Sequence, residues 1–179
     1  MTPVKQKQGQ PYCYWACLES ILKDFGIQNI SQDEIHEKVN ENRVGMQPVT
    51  NLMDDWVQAN VSLFCGINLS ASEKKNKENL PISEIFKAYP DKEIIVTIPR
   101  QLDNEHWPAA WNTHAVRVKK LDADSIKIMD PGFDTNHGKL FGLTINECLF
   151  DYKASDLDKL RTDGSKTVHE CFVISKNHC

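Results

Sequence analysis

The spacing of apolar residues changes near Pro90, and this change constrains the fold more than any other feature of the sequence. Before Pro90, apolar residues recur mainly at intervals of three and four, as they do along amphipathic helices. After Pro90 they alternate with polar residues, as they do along strands that have one buried face. Helices that come first and strands that follow predict an α+β fold, with an N-terminal helical half packed on a mostly antiparallel β-sheet.

Local signals place the individual elements. The first helix begins at Cys13, is expected to bury one stripe that includes Trp15 and Leu18, and ends before Gly26. Ser31 and Glu34 form a capping-box sequence, which predicts the start of a second helix. We predict further helices at about 49–57, 82–89 and 144–150, a polar surface loop at 70–79, and strands at 61–67, 93–98, 114–118, 125–129 and 168–174.

The composition narrows the class of protein. The 179 residues carry 21 Lys and Arg and 25 Asp and Glu, a formal net charge of −4. This length predicts one domain over residues 1–179, and the charge balance favours neither nucleic acid nor a membrane as partner. No apolar run could span a bilayer, and residues 1–6 lack the apolar core of a secretory signal. We predict a cytoplasmic protein, or an effector secreted without an N-terminal signal; the oligomeric state stays open.

Cys13 lies where a loop at 8–12 runs into the first helix. Unpaired N–H groups and the positive end of the helix dipole favour an anion there, so we expect a lowered pKa and a reactive thiolate. Gln8, five residues earlier, has a side-chain amide that can donate to an oxyanion. Cys17 follows on the same helical face and is assigned to packing. A competing interpretation makes Cys13 a small buried hydrophobic residue as well.

His114 and Asp130 belong to a predicted hairpin that can give the thiol its partners. If the turn is centred on Asp122, His114 faces Asp130 directly; if it is centred on Ala123, the two are diagonal neighbours. Both registers place the two side chains on one face, near enough for a carboxylate to orient an imidazole. Pro131 ends the strand just after Asp130. The hairpin therefore makes a Cys–His–Asp triad geometrically plausible.

These residues follow one another in an order that resembles the papain-like fold. The resemblance is closer to the bacteriocin-processing peptidase domains, which remove double-glycine leaders, and to their stand-alone relatives. It covers about residues 6–133, although the middle is matched by length and element order alone. The residues that carry it are Gln8, Tyr12-Cys13, Ala16-Cys17-Leu18, His114-Ala115-Val116, Val118, Ile126, Ile128 and Asp130-Pro131.

The resemblance implies Cys13 as nucleophile, His114 as its ion-pair partner and Asp130 as the residue that orients the imidazole. It also implies an oxyanion hole made by Gln8 and the backbone N–H of Cys13. Spacing favours Gln8 over Gln6 and Gln10 for that role. The sequence departs from the family where Tyr14-Trp15 replaces the usual Gly-Pro after the nucleophile.

The implied activity is cysteine-dependent hydrolysis of a peptide or amide bond through an acyl thioester, with a peptide or protein substrate and no cofactor. Tyr14, Trp107 and Trp111 are candidates for substrate binding, and loop packing explains the two tryptophans equally well. Deamidation of glutamine or transglutaminase-like acyl transfer would use the same triad. A non-catalytic binding module on the same fold is a further alternative.

The remaining cysteines and histidines predict neither disulfides nor a metal site. Six cysteines at wide spacings form no dense framework, so we expect reduced thiols. The C-terminal residues His169, Cys171, His178 and Cys179 match no common zinc spacing. We therefore predict no metal.

Overall fold

The computed structural model describes residues 1–7, 12–41, 68–75, 81–99, 113–132, 142, 147–162 and 170–177. The helix predicted at 49–57 and the strand predicted at 61–67 lie outside these ranges. Within the described part of the chain, no helix is long and apolar enough to cross a membrane.

Four helices and six strands make up the described elements. The helices are α1 (Cys13–Asp24), α2 (Gln32–Glu41), α3 (Ile82–Ala88) and α4 (Ala154–Thr162). The strands are β1 (Asn68–Lys75), β2 (Glu93–Pro99), β3 (Thr113–Lys120), β4 (Ser125–Met129), β5 (Leu149–Lys153) and β6 (Glu170–Asn177). They form one sheet in the order β1-β6-β2-β3-β4-β5, and every neighbouring pair is antiparallel. The predicted α+β class is confirmed.

Each face of the sheet packs against its own pair of helices. Ile95, Ala115 and Met129 belong to a buried cluster with α1 and α2, whereas Val96 and Val116 belong to a second cluster with α3 and α4. Neighbouring strand residues point to opposite faces, so β2 buries consecutive residues instead of alternating with polar ones. The sheet is therefore the middle of three layers.

α1 is buried on nearly all sides, which differs from the single buried stripe expected from its sequence. Every residue from Tyr14 to Leu22 is buried, including Glu19 and Ser20. The outer side is covered by α2 and by residues 1–7: Gln32 Nε2 donates to Glu19 Oε2 at 3.0 Å, and Ser20 Oγ donates to the Thr2 carbonyl. The polar side chains thus pair with this cover and do not face water.

Two helix ends follow their sequence signals closely. Gly26 has φ +96°, and the N–H groups of Gly26 and Ile27 donate to the carbonyls of Lys23 and Leu22, which is a Schellman motif. At the start of α2, Ser31 N–H donates to Glu34 Oε2 at 2.8 Å, and Glu34 N–H donates to Ser31 Oγ at 3.3 Å. The predicted capping box is therefore confirmed.

Two predicted elements were wrong. The segment predicted as a loop at 70–79 begins inside β1, which pairs with β6 from Asn68 opposite Asn177 to Lys75 opposite Glu170. β1 is an edge strand and pairs with one neighbour through its backbone. Such pairing does not require apolar side chains, so the polar sequence shows no sign of a strand. The helix predicted at 144–150 ends in β5, because Leu149 and Phe150 add to the sheet beside Met129 and Ile128. The helix α4 was not predicted.

α4 depends on contacts that no local pattern shows. Asp124, in the turn between β3 and β4, accepts hydrogen bonds from the N–H groups of Ala154 and Ser155 through its carbonyl and its carboxylate. Leu157 faces the second core cluster and is fully buried. The start of α4 is thus capped by a distant turn.

Candidate active site

Cys13 is the first residue of α1, and its thiol is partly exposed. The preceding Tyr12 makes no side-chain cap, and the first bond within the helix runs from Ala16 N–H to the Tyr12 carbonyl. The N–H groups of the first turn therefore have no acceptor inside the helix. The local sequence leaves them available to the Cys13 sulfur and to a bound anion.

His114 and Asp130 meet where β3 begins and β4 has just ended. Arg117 pairs with Met129 and Val118 with Ile128, so the turn is centred on Ala123, which is the second of the two expected registers. His114 Nε2 lies 2.6 Å from Asp130 Oδ1. The expectation that the two side chains share a face is met.

Asp130 is fully buried and held from several sides. Its backbone N–H donates to the Cys148 carbonyl at 2.8 Å, and Gly132 N–H donates to its Oδ1 at 2.9 Å. Next to it, the Pro131 carbonyl accepts a hydrogen bond from Gln6 N–H at 2.8 Å. The carboxylate therefore has a fixed orientation, with one oxygen shared by Gly132 and His114.

The Cys13 thiol is in contact with His114, and opposing effects decide its charge. Burial raises the pKa of Cys13, but the hydrogen bond and positive charge of His114, with backbone N–H groups of Ala115 and Tyr14, outweigh burial and lower the pKa below its usual value. Cys17 shows the opposite result, since burial raises the pKa of its thiol well above the usual value. Of the two thiols on α1, only Cys13 is set up to ionise.

His114 is buried, with 2% of its surface exposed. Burial alone would lower its pKa, but the charge and hydrogen bond of Asp130, together with Cys13, raise the pKa of His114 to about 10. An imidazolium has an N–H on each ring nitrogen. Since Nε2–H donates to Asp130, proton exchange with the Cys13 sulfur falls to Nδ1. The arrangement favours a negative charge on Cys13 and a positive charge on His114, with the Asp130 carboxylate on the other side of the ring.

Arg117 is a residue whose importance the sequence did not reveal. Its side chain is fully buried, and its guanidinium donates to Glu93 from Nε at 3.1 Å and from Nη2 at 2.7 Å. It also donates to Ser20 Oγ and to Asp24 Oδ2, each at 2.7 Å. The available signal was an arginine inside an otherwise apolar strand sequence, His114-Ala-Val-Arg-Val118. Lys and Arg are seldom fully buried unless they are paired.

Among the other residues predicted for the site, Tyr14 is described by the structure, and its side chain is not brought to the thiol. Tyr14 is buried with its ring 4.9 Å from that of Phe172 and 5.1 Å from that of Trp15, so its side chain packs in the core and its predicted role in substrate binding finds no support. Cys17 is fully buried, and its Sγ donates to the Ala115 carbonyl at 3.6 Å, in line with a packing role. Gln8, Trp107 and Trp111 lie outside the described residues.

Nothing in the described ranges gathers three or more His, Cys, Asp or Glu side chains that could hold a metal ion. Cys171 is buried in the second core cluster, and His169, His178 and Cys179 fall outside those ranges.

Comparison with known proteins identifies the fold. No family model matches the sequence, and no curated protein does. Among solved structures, the chain is similar to that of a "putative C39-like peptidase" from Bacillus anthracis, with a TM-score of 0.56 and 12% sequence identity. The match covers 99% of this chain and 96% of the other. At this identity the match shows the fold alone, so the chain has the same α+β fold as that protein.

Proposed function

We propose that the chain is a cysteine-dependent hydrolase that cleaves a peptide or amide bond through an acyl-thioester intermediate. The observation that carries the proposal is the position of His114, whose ring lies between the Cys13 thiol and Asp130, with Nε2 2.6 Å from Asp130 Oδ1. A nucleophile, a base and a residue that orients the base are the three parts that such chemistry needs.

In the first half of the reaction, the Cys13 thiolate attacks the carbonyl carbon of the scissile bond. The carbonyl oxygen becomes an oxyanion in the tetrahedral intermediate. His114 then gives its Nδ1 proton to the departing nitrogen, and the amine leaves as the thioester forms. Asp130 stays ionised and holds the ring through Nε2.

In the second half, a water molecule replaces the amine. His114, now neutral, takes a proton from the water as it attacks the thioester carbonyl. Collapse of the second tetrahedral intermediate releases the carboxylic acid product and restores the thiolate–imidazolium pair. Asp130 stabilises the positive ring that forms again.

The start of α1 supplies donors for the oxyanion. The backbone N–H of Cys13 belongs to the first turn, where no acceptor exists within the helix. A donor fixed in the backbone needs no reorganisation when negative charge develops on the substrate. We assign the second donor to the side chain of Gln8, which the sequence resemblance implies.

The substrate we propose is a peptide or protein, with Trp107 and Trp111 as candidate contacts. Water as acceptor gives hydrolysis, whereas an amine as acceptor would give acyl transfer from the same thioester. A glutamine side chain as substrate would give deamidation. The products distinguish these reactions.

A peptide library incubated with wild type, Cys13→Ala and Cys171→Ala, and read by mass spectrometry, tests the proposal. We expect new termini with wild type and Cys171→Ala, and none with Cys13→Ala, because Cys171 lies in the core cluster on the α3 and α4 face of the sheet. A mass gain of about 1 Da at glutamine would indicate deamidation instead, and a gain equal to an added amine minus ammonia would indicate transfer. Cleavage that survives Cys13→Ala would overturn the proposal.

A further inference from the structure

One edge of α1 carries a row of polar side chains although it faces the interior. Cys13, Cys17, Ser20 and Asp24 are separated by four, three and four residues, which places them on one stripe of the helix. All four contact β3. This row gives directional contacts to a helix whose remaining core contacts are apolar.

The contacts of the row follow β3 from its first residues inward. The Cys13 thiol contacts His114, and Cys17 Sγ donates a hydrogen bond to the Ala115 carbonyl at 3.6 Å. At the other end, Arg117 donates to both Ser20 and Asp24, each at 2.7 Å. α1 and β3 are thus joined at one end by Cys13 and His114, and about 10 to 16 Å further along the helix by Arg117 with Ser20 and Asp24.

The guanidinium fixes the position of α1 more strictly than the apolar contacts do. Apolar burial is non-directional, so a small slide of the helix costs little of it. A planar guanidinium donates along fixed directions, and a slide would break its bonds to Ser20 and Asp24 together. Because Arg117 is fully buried, water could not replace the lost partners.

The reaction itself needs such an anchor. During the acyl-thioester stage the Cys13 sulfur is bonded to the substrate and carries no charge, so it no longer pairs with the imidazolium. A contact elsewhere must then hold α1 in place for the second half of the reaction. Arg117 keeps its partners throughout, since neither Ser20 nor Asp24 takes part in the chemistry.

We propose that Arg117 is a positioning residue, which fixes α1 along β3 and thereby sets where the Cys13 thiol meets His114. The inference rests on the proposed function, because the Cys13–His114 pair is what Arg117 positions. Its two carboxylate partners provide a matched comparison. Asp24 lies on α1 and Glu93 on β2, and each accepts from Arg117 Nη2 at 2.7 Å.

The experiment compares Asp24→Asn, Glu93→Gln, Arg117→Lys and Thr2→Val with wild type. The rate of Cys13 alkylation by iodoacetamide is measured from pH 4 to 10 by mass spectrometry, at a temperature where circular dichroism shows each protein folded. The groups that set this profile are His114 on β3, Asp130 after β4 and Cys17 on α1. Thr2→Val is included because Thr2 Oγ1 also donates to Asp24.

We expect Asp24→Asn to slow Cys13 alkylation at pH 6 about tenfold and to move the profile up by about one pH unit, because a displaced His114 no longer favours the thiolate. Arg117→Lys should shift it in the same direction, whereas Glu93→Gln and Thr2→Val should match wild type. Unchanged profiles in Asp24→Asn, or equal shifts in Asp24→Asn and Glu93→Gln, would overturn the positioning role, as would a full shift in Thr2→Val. An ordinary wild-type profile would instead contradict the proposed function.

If Arg117→Lys does not fold, Asp24→Asn and Glu93→Gln decide the question between them. Asp24 and Glu93 are partly exposed, at 20% and 15% of their side-chain surfaces, so water can reach the amide that replaces each carboxylate. Both variants leave one carboxylate on the guanidinium. Ser20→Ala, which removes the other α1 contact of Arg117, should shift the profile in the same direction as Asp24→Asn.

Discussion

His114 contacts Asp130 through Nε2 and lies against the Cys13 thiol on its other side. Burial opposes charge on both Cys13 and His114, yet the structure favours the charged form of each. Two opposite charges in contact in a poorly solvated site stabilise one another more strongly than either is penalised. Asp130 favours the charged form of His114 further, because it places a fixed negative charge next to Nε2 of the ring.

Replacing Asp130 by Asn tests this electrostatic role. The amide oxygen can keep the bonds from Gly132 N–H and His114 Nε2, so the ring should stay oriented while the negative charge is lost. The charge and hydrogen bond of Asp130, together with Cys13, raise the pKa of His114 to about 10, so removing the charge lowers that pKa. We expect the alkaline limb of the pH–rate profile to move down by one unit or more.

The measurement is kcat/KM from pH 5 to 11 for wild type, Asp130→Asn and Asp130→Ala. The alanine variant should also lose turnover, by about 10²-fold or more, because nothing then orients the ring. An alkaline limb that stays in place in Asp130→Asn would mean that Asp130 acts through geometry alone.

At the scale of elements, the two N-terminal helices begin in different ways. α2 starts with a complete capping box, whereas α1 starts with no side-chain cap. A capped helix start is more stable, and an uncapped one keeps its N–H groups for a ligand. The difference fits the positions of the two helices, since only α1 begins with a reactive thiol.

Ser31→Ala should lower the free energy of unfolding by about 1 kcal/mol, because Glu34 N–H loses its acceptor at the start of α2. Urea denaturation at pH 7 measures this change, and Ser31→Asp, which restores an acceptor, serves as the control. The rate of Cys13 alkylation should be unchanged in both variants. A loss of reactivity in Ser31→Ala would show that α2 is coupled to the thiol, contrary to this expectation.

The helices and strands that could be predicted have strong local sequence signals. The others depend on the neighbouring strands or turns that they contact in the fold. Capping residues, Gly26 and the spacing of apolar residues located α1, α2, α3, β2, β3, β4 and much of β6. β1 and β5 lie at the two ends of the strand order, and their pairing is decided by β6 and β4. The His114–Asp130 contact was predictable because both hairpin registers share it. The partners of Arg117 were not, since they depend on how α1 crosses β3.

At the scale of the whole molecule, Arg117 links α1 to the sheet through its bonds to Ser20, Asp24 and Glu93. The carboxyl group of Asp24 makes the stability of this link depend on pH. Burial alone would raise the pKa of Asp24, but its bonds to Thr2 and Arg117 lower the pKa to about 2. A carboxyl whose pKa is lower in the folded state stabilises the fold above the unfolded pKa of 3.8. That contribution disappears as the pH falls from about 4 to about 2.

Wild type should therefore lose more stability than Asp24→Asn between pH 5 and pH 2. We expect the difference to be about 1 kcal/mol, because the carboxylate is partly exposed and solvent screens its interactions. Urea unfolding at both pH values measures it, and other carboxyl groups cancel in the comparison. Equal losses in the two proteins would show that Asp24 contributes nothing to acid sensitivity.

The order of the three reactive residues along the chain has a consequence for biosynthesis. Cys13 leaves the ribosome early, whereas His114 and Asp130 follow only after most of the sequence has been made. Until β3 and β4 pair, the thiol has neither the imidazolium nor the carboxylate that activates it. Under the proposed mechanism the thiol of the nascent chain is therefore not yet activated, and the first appearance of fast Cys13 alkylation would mark the moment at which α1, β3 and β4 have packed together.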